Sequence, residues 1–221
     1  MCSCTQLFGN LNLYEGPVVS YFGMPDTYTS AFFPMLGGFK ITGGHQDGVP
    51  RGQDLVVAPV GGPQAQGTVP QVTAVQGGGI YLHTNVKHLR ITNNLIRLNG
   101  GAMGGGVRSG TPFLEDALAD AHNDDLYIGH NVIVGNGGAA MGGQITLFDG
   151  THGYEIAHNY ICGGYTAEYG AGISHQGLSH RGRIHHNRIT YNTAFDEGGA
   201  IMVSCVFSIV GAVLITSCAG G

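Results

Sequence analysis

The phrase Ile91-Thr92-Asn93-Asn94-Leu95-Ile96 returns as Ile128-Gly129-His130-Asn131-Val132-Ile133, Ile156-Ala157-His158-Asn159-Tyr160-Ile161 and Ile184-His185-His186-Asn187-Arg188-Ile189, at intervals of 37, 28 and 28 residues. A repeat of this period makes each copy one supersecondary unit that buries its apolar face on the next. The chain must therefore be an elongated solenoid.

Upstream, a second apolar column keeps the same register. Ile80, Ile145 and Ile173 each lie 11 residues before Ile91, Ile156 and Ile184, whereas Val107 lies 21 before Ile128. The stretch from Val107 to Ile128 is thus ten residues longer than its counterparts and, with one residue fewer between Ile91 and Val107, it gives the single interval that is nine residues longer than the others. A third column, Ile96, Ile133, Ile161 and Ile189, follows five residues after the repeated isoleucine, and Ile201 opens a further coil. Each coil is expected to hold three short strands that stack in parallel on their neighbours about 4.8 Å away. The fold class that follows is all-β, a right-handed parallel β-helix with coils of about 28 residues.

Residues 1–36 are irregular and read as an N-terminal cap; 37–205 form the β-helix, with a proline-bearing loop near 45–76; 206–221 are an apolar C-terminal coil or tail. Between Ile201 and Cys218 no residue is charged, a length near the lower limit for crossing a bilayer. Its β-branched residues and Ser204, Ser208 and Thr216 suit buried strands better. Membrane contact through 201–218 is therefore the less favoured reading.

Glycine is the compositional outlier, 40 of 221 residues, clustered as Gly77-Gly78-Gly79, Gly104-Gly105-Gly106, Gly142-Gly143 and Gly198-Gly199. Each cluster precedes a column residue or lies close before one, as expected of tight corners. Asn94, Asn131, Asn159 and Asn187 mark another corner, where asparagine suits a left-handed backbone and its amide can bond the amide stacked beneath it. Nine basic residues against fourteen acidic leave a formal charge of -5, and no stripe of Lys and Arg exists to grip phosphates, so nucleic acid is excluded as a partner. The five cysteines have neither zinc-finger spacing nor a paired framework. No basic start followed by an apolar run marks a signal peptide before Asn10.

The pattern I-x-x-N-x-I-x-x-N, preceded by Gly77-Gly78-Gly79-Ile80-Tyr81 and by Gly38-Phe39-Lys40-Ile41-Thr42-Gly43-Gly44, resembles the parallel β-helix repeat proteins of the pectin lyase-like superfamily over about residues 36–205. The resemblance implies a secreted or cell-surface protein that binds polysaccharide, with cleavage of the lyase or glycoside hydrolase type as its enzymatic extension. The alternative is a non-catalytic surface, adhesion or structural module.

In such proteins ligands lie along the first strand of each coil. Strand alternation turns Tyr81, Arg108, Thr146 and Ser174 outward, with His83, Gly110, Phe148 and Gln176 in the next column. Tyr81 and Phe148 can stack on sugar rings, and His83 and Arg108 can bond hydroxyls or a uronate carboxylate. The bland reading of the same residues is the solvated outside of a strand. Hydrolysis requires two positioned carboxylates, and the strands supply none; Asp149 is nearest, and Glu115, Asp116, Asp120, Asp124 and Asp125 sit in the ten-residue expansion. The resemblance to lyases implies an arginine base with a calcium-binding carboxylate cluster, which only Arg108 with Asp116 and Asp149 imitates. No cofactor is expected, with calcium the one that the resemblance leaves open. His130, His158 and His186 recur at one position in three successive coils, where stacked imidazoles could converge on zinc or nickel, but no second ligand type accompanies them, so no metal is expected.

Overall fold

The computed structural model describes residues 16–44, 78–110 and 120–204. The loop near 45–76, Glu115, Asp116 and the tail from residue 205 onward lie outside the described residues. The chain is an all-β parallel β-helix with four sheets, each taking one strand per coil. The first holds Val19–Tyr21, Ile80–Leu82, Val107–Ser109, Ile145–Leu147, Ile173–Gln176 and Ile201–Ser204. The second holds Met35–Gly37, Arg90–Thr92, Tyr127–Gly129, Glu155–Ala157 and Arg183–His185. The third holds Lys40–Ile41, Leu95–Arg97, Val132–Val134, Tyr160–Cys162 and Arg188–Thr190, and the fourth Gly100–Met103, Gly137–Met141, Tyr165–Thr166 and Thr193–Ala194.

Stacked isoleucines form the core. Ile91 pairs with Ile128, Ile128 with Ile156 and Ile156 with Ile184, while Ile96, Ile133, Ile161 and Ile189 do the same one sheet on. In the first sheet Ile80, Val107, Ile145 and Ile173 align and are completely buried. Burying each such side chain contributes about 1.5–3 kcal/mol, so every added coil offsets the entropy of ordering it. Val19 already pairs with Ile80 and Leu36 with Ile91, which places two strands of the stack within the first 37 residues.

Three strands per coil was an underestimate. The fourth sheet is built from segments such as Gly137–Met141 and Thr193–Ala194, whose residues carry no alternating apolar pattern. It forms because the other three sheets hold these segments in register, so backbone pairing alone completes the wall. At the C-terminal end, Ile201–Ser204 pairs residue for residue with Ile173–Gln176. Those four residues of the apolar run are thus strand, and no helix among the described residues is long and apolar enough to cross a membrane.

Each corner divides its work between two adjacent residues. The left-handed conformation falls on Asn93, His130, His158 and His186 (φ 57°, 57°, 58° and 52°), one position before the asparagines expected to adopt it. Asn94, Asn131, Asn159 and Asn187 instead form the amide ladder: each Nδ2 donates to the Oδ1 of the next, at 3.1, 3.1 and 3.0 Å. The same Oδ1 atoms accept the backbone N–H groups of Asn94, Asn131 and Asn159 at 2.9, 3.0 and 2.9 Å, which satisfies buried donors that no strand pairs. Leu98, Gly135, Gly163 and Tyr191 are the left-handed residues of the next corner. Asn99, Asn136 and Asn192 follow three of them.

Glycine is demanded where the chain re-enters the first sheet. Gly104, Gly142, Gly170 and Gly198 all have positive φ, and each packs against the residue four positions on. A Cβ would lie 3.0 Å from the Arg108 Cβ at Gly104 and 2.6 Å from the Ser174 Cβ at Gly170. These corners therefore fold back over the outward side chains of the first sheet.

Candidate functional site

Alternation in the first sheet turns Tyr81, Arg108, Thr146 and Ser174 outward in register, as their pairing shows. They are not solvated. All four are buried, as are Phe148 and Gln176, so this face is an enclosed layer outside the core. Arg108 is the largest fully buried side chain described and has no exposed area.

Its guanidinium lies between two aromatic rings, 4.7 Å from the Tyr81 centroid and 5.3 Å from that of Phe148. Facing rings stabilise a cation through their quadrupoles. Nε donates to the Gly110 carbonyl at 3.0 Å, but Nη1 and Nη2 have no partner. Burial lowers the Arg108 pKa from its ordinary value, with Tyr81 acting the other way, yet an arginine keeps its proton at neutral pH. The site therefore holds a positive charge with two unused donor nitrogens, a costly arrangement unless an anion completes it.

Around it stand further unsatisfied groups. Thr146 Oγ1 and Gln176 Oε1 are buried without partners, while Gln176 Nε2 donates to Ser174 Oγ at 3.2 Å. His83 packs its ring 3.8 Å from that of Tyr81. Desolvation lowers its pKa, and the charge of Arg108 adds to the effect, so His83 is a neutral imidazole at neutral pH. Tyr81, His83, Arg108 and Phe148, separated by up to 67 positions in the chain, thus meet on one face.

Asp149, next to Phe148 in the chain, has its carboxylate tied to the neighbouring coil. Its Oδ1 accepts the Leu178 N–H at 2.5 Å, and burial pushes its carboxyl above the usual range despite that bond. Asp116 lies outside the described residues. Of the three catalytic candidates, only Arg108 and Asp149 can be placed, and Asp149 is engaged by Leu178.

Two histidine clusters use none of these residues. His130, His158 and His186 stack at 5.0 and 5.2 Å, as their common corner position requires. His185, which sequence reasoning passed over, joins them. Beyond the first sheet, Asp120, Asp124 and His152 also converge, with His152 Nε2 3.2 Å from Asp120 and its ring stacked 5.0 Å from His180. The separation of His152 from His180, the same 28 residues as the repeat, was a usable signal.

No protein-family model matches this chain, and no curated protein or solved structure matches it either.

Proposed function

We propose that the chain is a polysaccharide-binding β-helix, working outside the cell or at its surface, in which Arg108 receives the carboxylate of an acidic sugar. The observation that carries this reading is the buried guanidinium with two unpartnered nitrogens between Tyr81 and Phe148. A uronate presents what such a site lacks. Its carboxylate accepts a bidentate pair from Nη1 and Nη2, and its ring offers an apolar face to an aromatic side chain. The pattern that resembles the pectin lyase-like superfamily supports the same substrate class.

Access requires the face to open, because no part of Arg108 reaches the surface. Binding without cleavage is the form of the proposal best supported, since Asp149 is the only described candidate carboxylate near the face and it is occupied by Leu178. The enclosed state of Arg108 also favours a second reading, a structural module in which the stacked arginine is packing alone.

Affinity electrophoresis and calorimetry against polygalacturonate, alginate and a neutral dextran separate the two. Binding of an acidic glycan, weakened roughly 10- to 100-fold by Arg108→Met as charge-assisted hydrogen bonds are lost, supports the proposal. No acidic-glycan binding, or binding indifferent to that substitution, overturns it. Appearance of unsaturated products or new reducing ends would add catalysis.

A further inference from the structure

The corner between the second and third sheets carries three histidines at one position. His130, His158 and His186 share a left-handed backbone, and the asparagine ladder beside them fixes each corner. At the C-terminal end of this column the geometry changes. His185, from strand Arg183–His185, sets its ring perpendicular to both His158 and His186, at centroid distances of 6.0 and 5.0 Å.

This turns stacking into convergence. Nδ1 of His185 and Nδ1 of His186 are 2.8 Å apart, and one ring nitrogen from each of His158, His185 and His186 lies within 4.8 Å of the other two. His185 is also oriented from behind. Its Nε2 is 3.3 Å from Glu155 Oε1, and the other oxygen of Glu155 is engaged by Arg183. A proton on Nε2, donated to Glu155, leaves a lone pair on Nδ1 directed toward the other imidazoles. A carboxylate behind a histidine in this manner is the usual support of a metal ligand.

We infer that His158, His185 and His186 bind one divalent transition metal of the zinc, nickel or copper class, with Glu155 as the positioning residue behind His185. Three imidazoles suit these borderline ions and not calcium or magnesium, which take oxygen ligands. Bonds of about 2.0–2.1 Å require the three nitrogens to sit somewhat more than 3 Å apart, so small side-chain rotations close the site without moving backbone. His158 and His186 are exposed, which leaves the remaining coordination position open to water or to an outside ligand. The inference is independent of glycan binding, because it uses none of the residues around Arg108.

Neighbouring coils supply substitutions compatible with the fold. Asn93 occupies the corner position of His158 and His186, and Ala157 pairs in register with His185. Full-length protein freed of metal by chelator is titrated with Zn²⁺ by calorimetry and with Cu²⁺ by electron paramagnetic resonance. One equivalent per chain is expected, with nitrogen hyperfine structure from imidazoles. His158→Asn, His186→Asn and His185→Ala should each weaken binding at least 10-fold, and Glu155→Gln by about 10- to 100-fold. His130→Asn and His152→Ala should leave it unchanged. Circular dichroism checks that each variant is folded, and the asparagine variants decide the matter if His185→Ala is not. Absence of saturable uptake, uptake indifferent to His158→Asn and His186→Asn, or uptake lost only with His152→Ala overturns the inference.

Discussion

Gln144 takes the place of the side chain that Gly164 lacks. In the second amide ladder Asn136 Oδ1 accepts from Asn99 Nδ2 at 2.9 Å, and Asn192 Oδ1 accepts from the Gly164 N–H at 2.7 Å. Position 164 should hold the asparagine between them. Instead Gln144 Oε1 accepts from Asn136 Nδ2 at 2.5 Å, and its Nε2 donates to the Cys162 carbonyl at 2.5 Å. A Cβ on Gly164 would stand 2.6 Å from Gln144 Cγ and 2.4 Å from the Ala171 carbonyl oxygen. The glycine and the glutamine are therefore one solution to one packing problem.

Gln144→Ala should destabilise the chain by about 1–3 kcal/mol, because it removes the acceptor shared by the Asn136 backbone N–H and one N–H of its side-chain amide, whose other bond runs to the Ile96 carbonyl. Gly164→Ala should also destabilise through these contacts and a third, 2.8 Å from Asn192 Oδ1. The double variant should lose less than the sum, by roughly 0.5–3 kcal/mol, since removing the glutamine relieves one of those contacts. Urea unfolding of the four proteins measures the coupling, and strict additivity would show the two positions to be independent.

Arg108→Met keeps an apolar stem between Tyr81 and Phe148 and removes a charge with two unpartnered nitrogens. In the absence of glycan it should stabilise the protein by about 1–4 kcal/mol. Thermal unfolding reads the change. A marked loss of stability would mean that the cation itself holds this layer together.

His175 provides the clearest pH dependence. Its Nδ1 lies 2.9 Å from the Tyr154 hydroxyl inside the coil, and burial lowers its pKa from the ordinary value. A histidine more acidic in the folded state is neutral there while the unfolded chain takes up a proton at about pH 6.5. Its contribution to stability is thus complete above that pH and is lost as pH falls through the folded value, with a slope of at most about 1.4 kcal/mol per pH unit. Leu147 pairs with His175, so His175→Leu matches its neighbour and should flatten the slope. Unfolding free energies measured from pH 7.5 down to pH 5 check this. The Tyr154 hydroxyl, whose pKa burial raises to about 12, does not titrate in that window.

Ile156 is sealed between Ile128 and Ile184. Ile156→Ala should cost about 2–5 kcal/mol, from lost burial and the cavity left behind. The same change at Ile184, only half-buried, should cost less. Equal losses in denaturant unfolding would contradict the stacking order.

The isoleucine columns and the first asparagine ladder could be read from the chain alone. A side chain that points inward in every coil must be apolar, and one that closes a corner must carry an amide, so the period is written directly in residue type. The fourth sheet could not be read in this way, because Gly137–Met141 and Thr193–Ala194 are strands only through backbone pairing to their neighbours. Nor could the enclosure of Arg108, since alternation says which way a side chain points and not what lies over it. Gln144 substituting for an asparagine twenty positions later, and His185 with Glu155 completing a group seen before only as a column, depend on contacts between coils. Sequence therefore determined the axis, the core and the corners, through repetition of residue type. Which unlike side chains face one another across 28 residues was decided by tertiary stacking alone, because a one-dimensional period carries no record of what packs beside it.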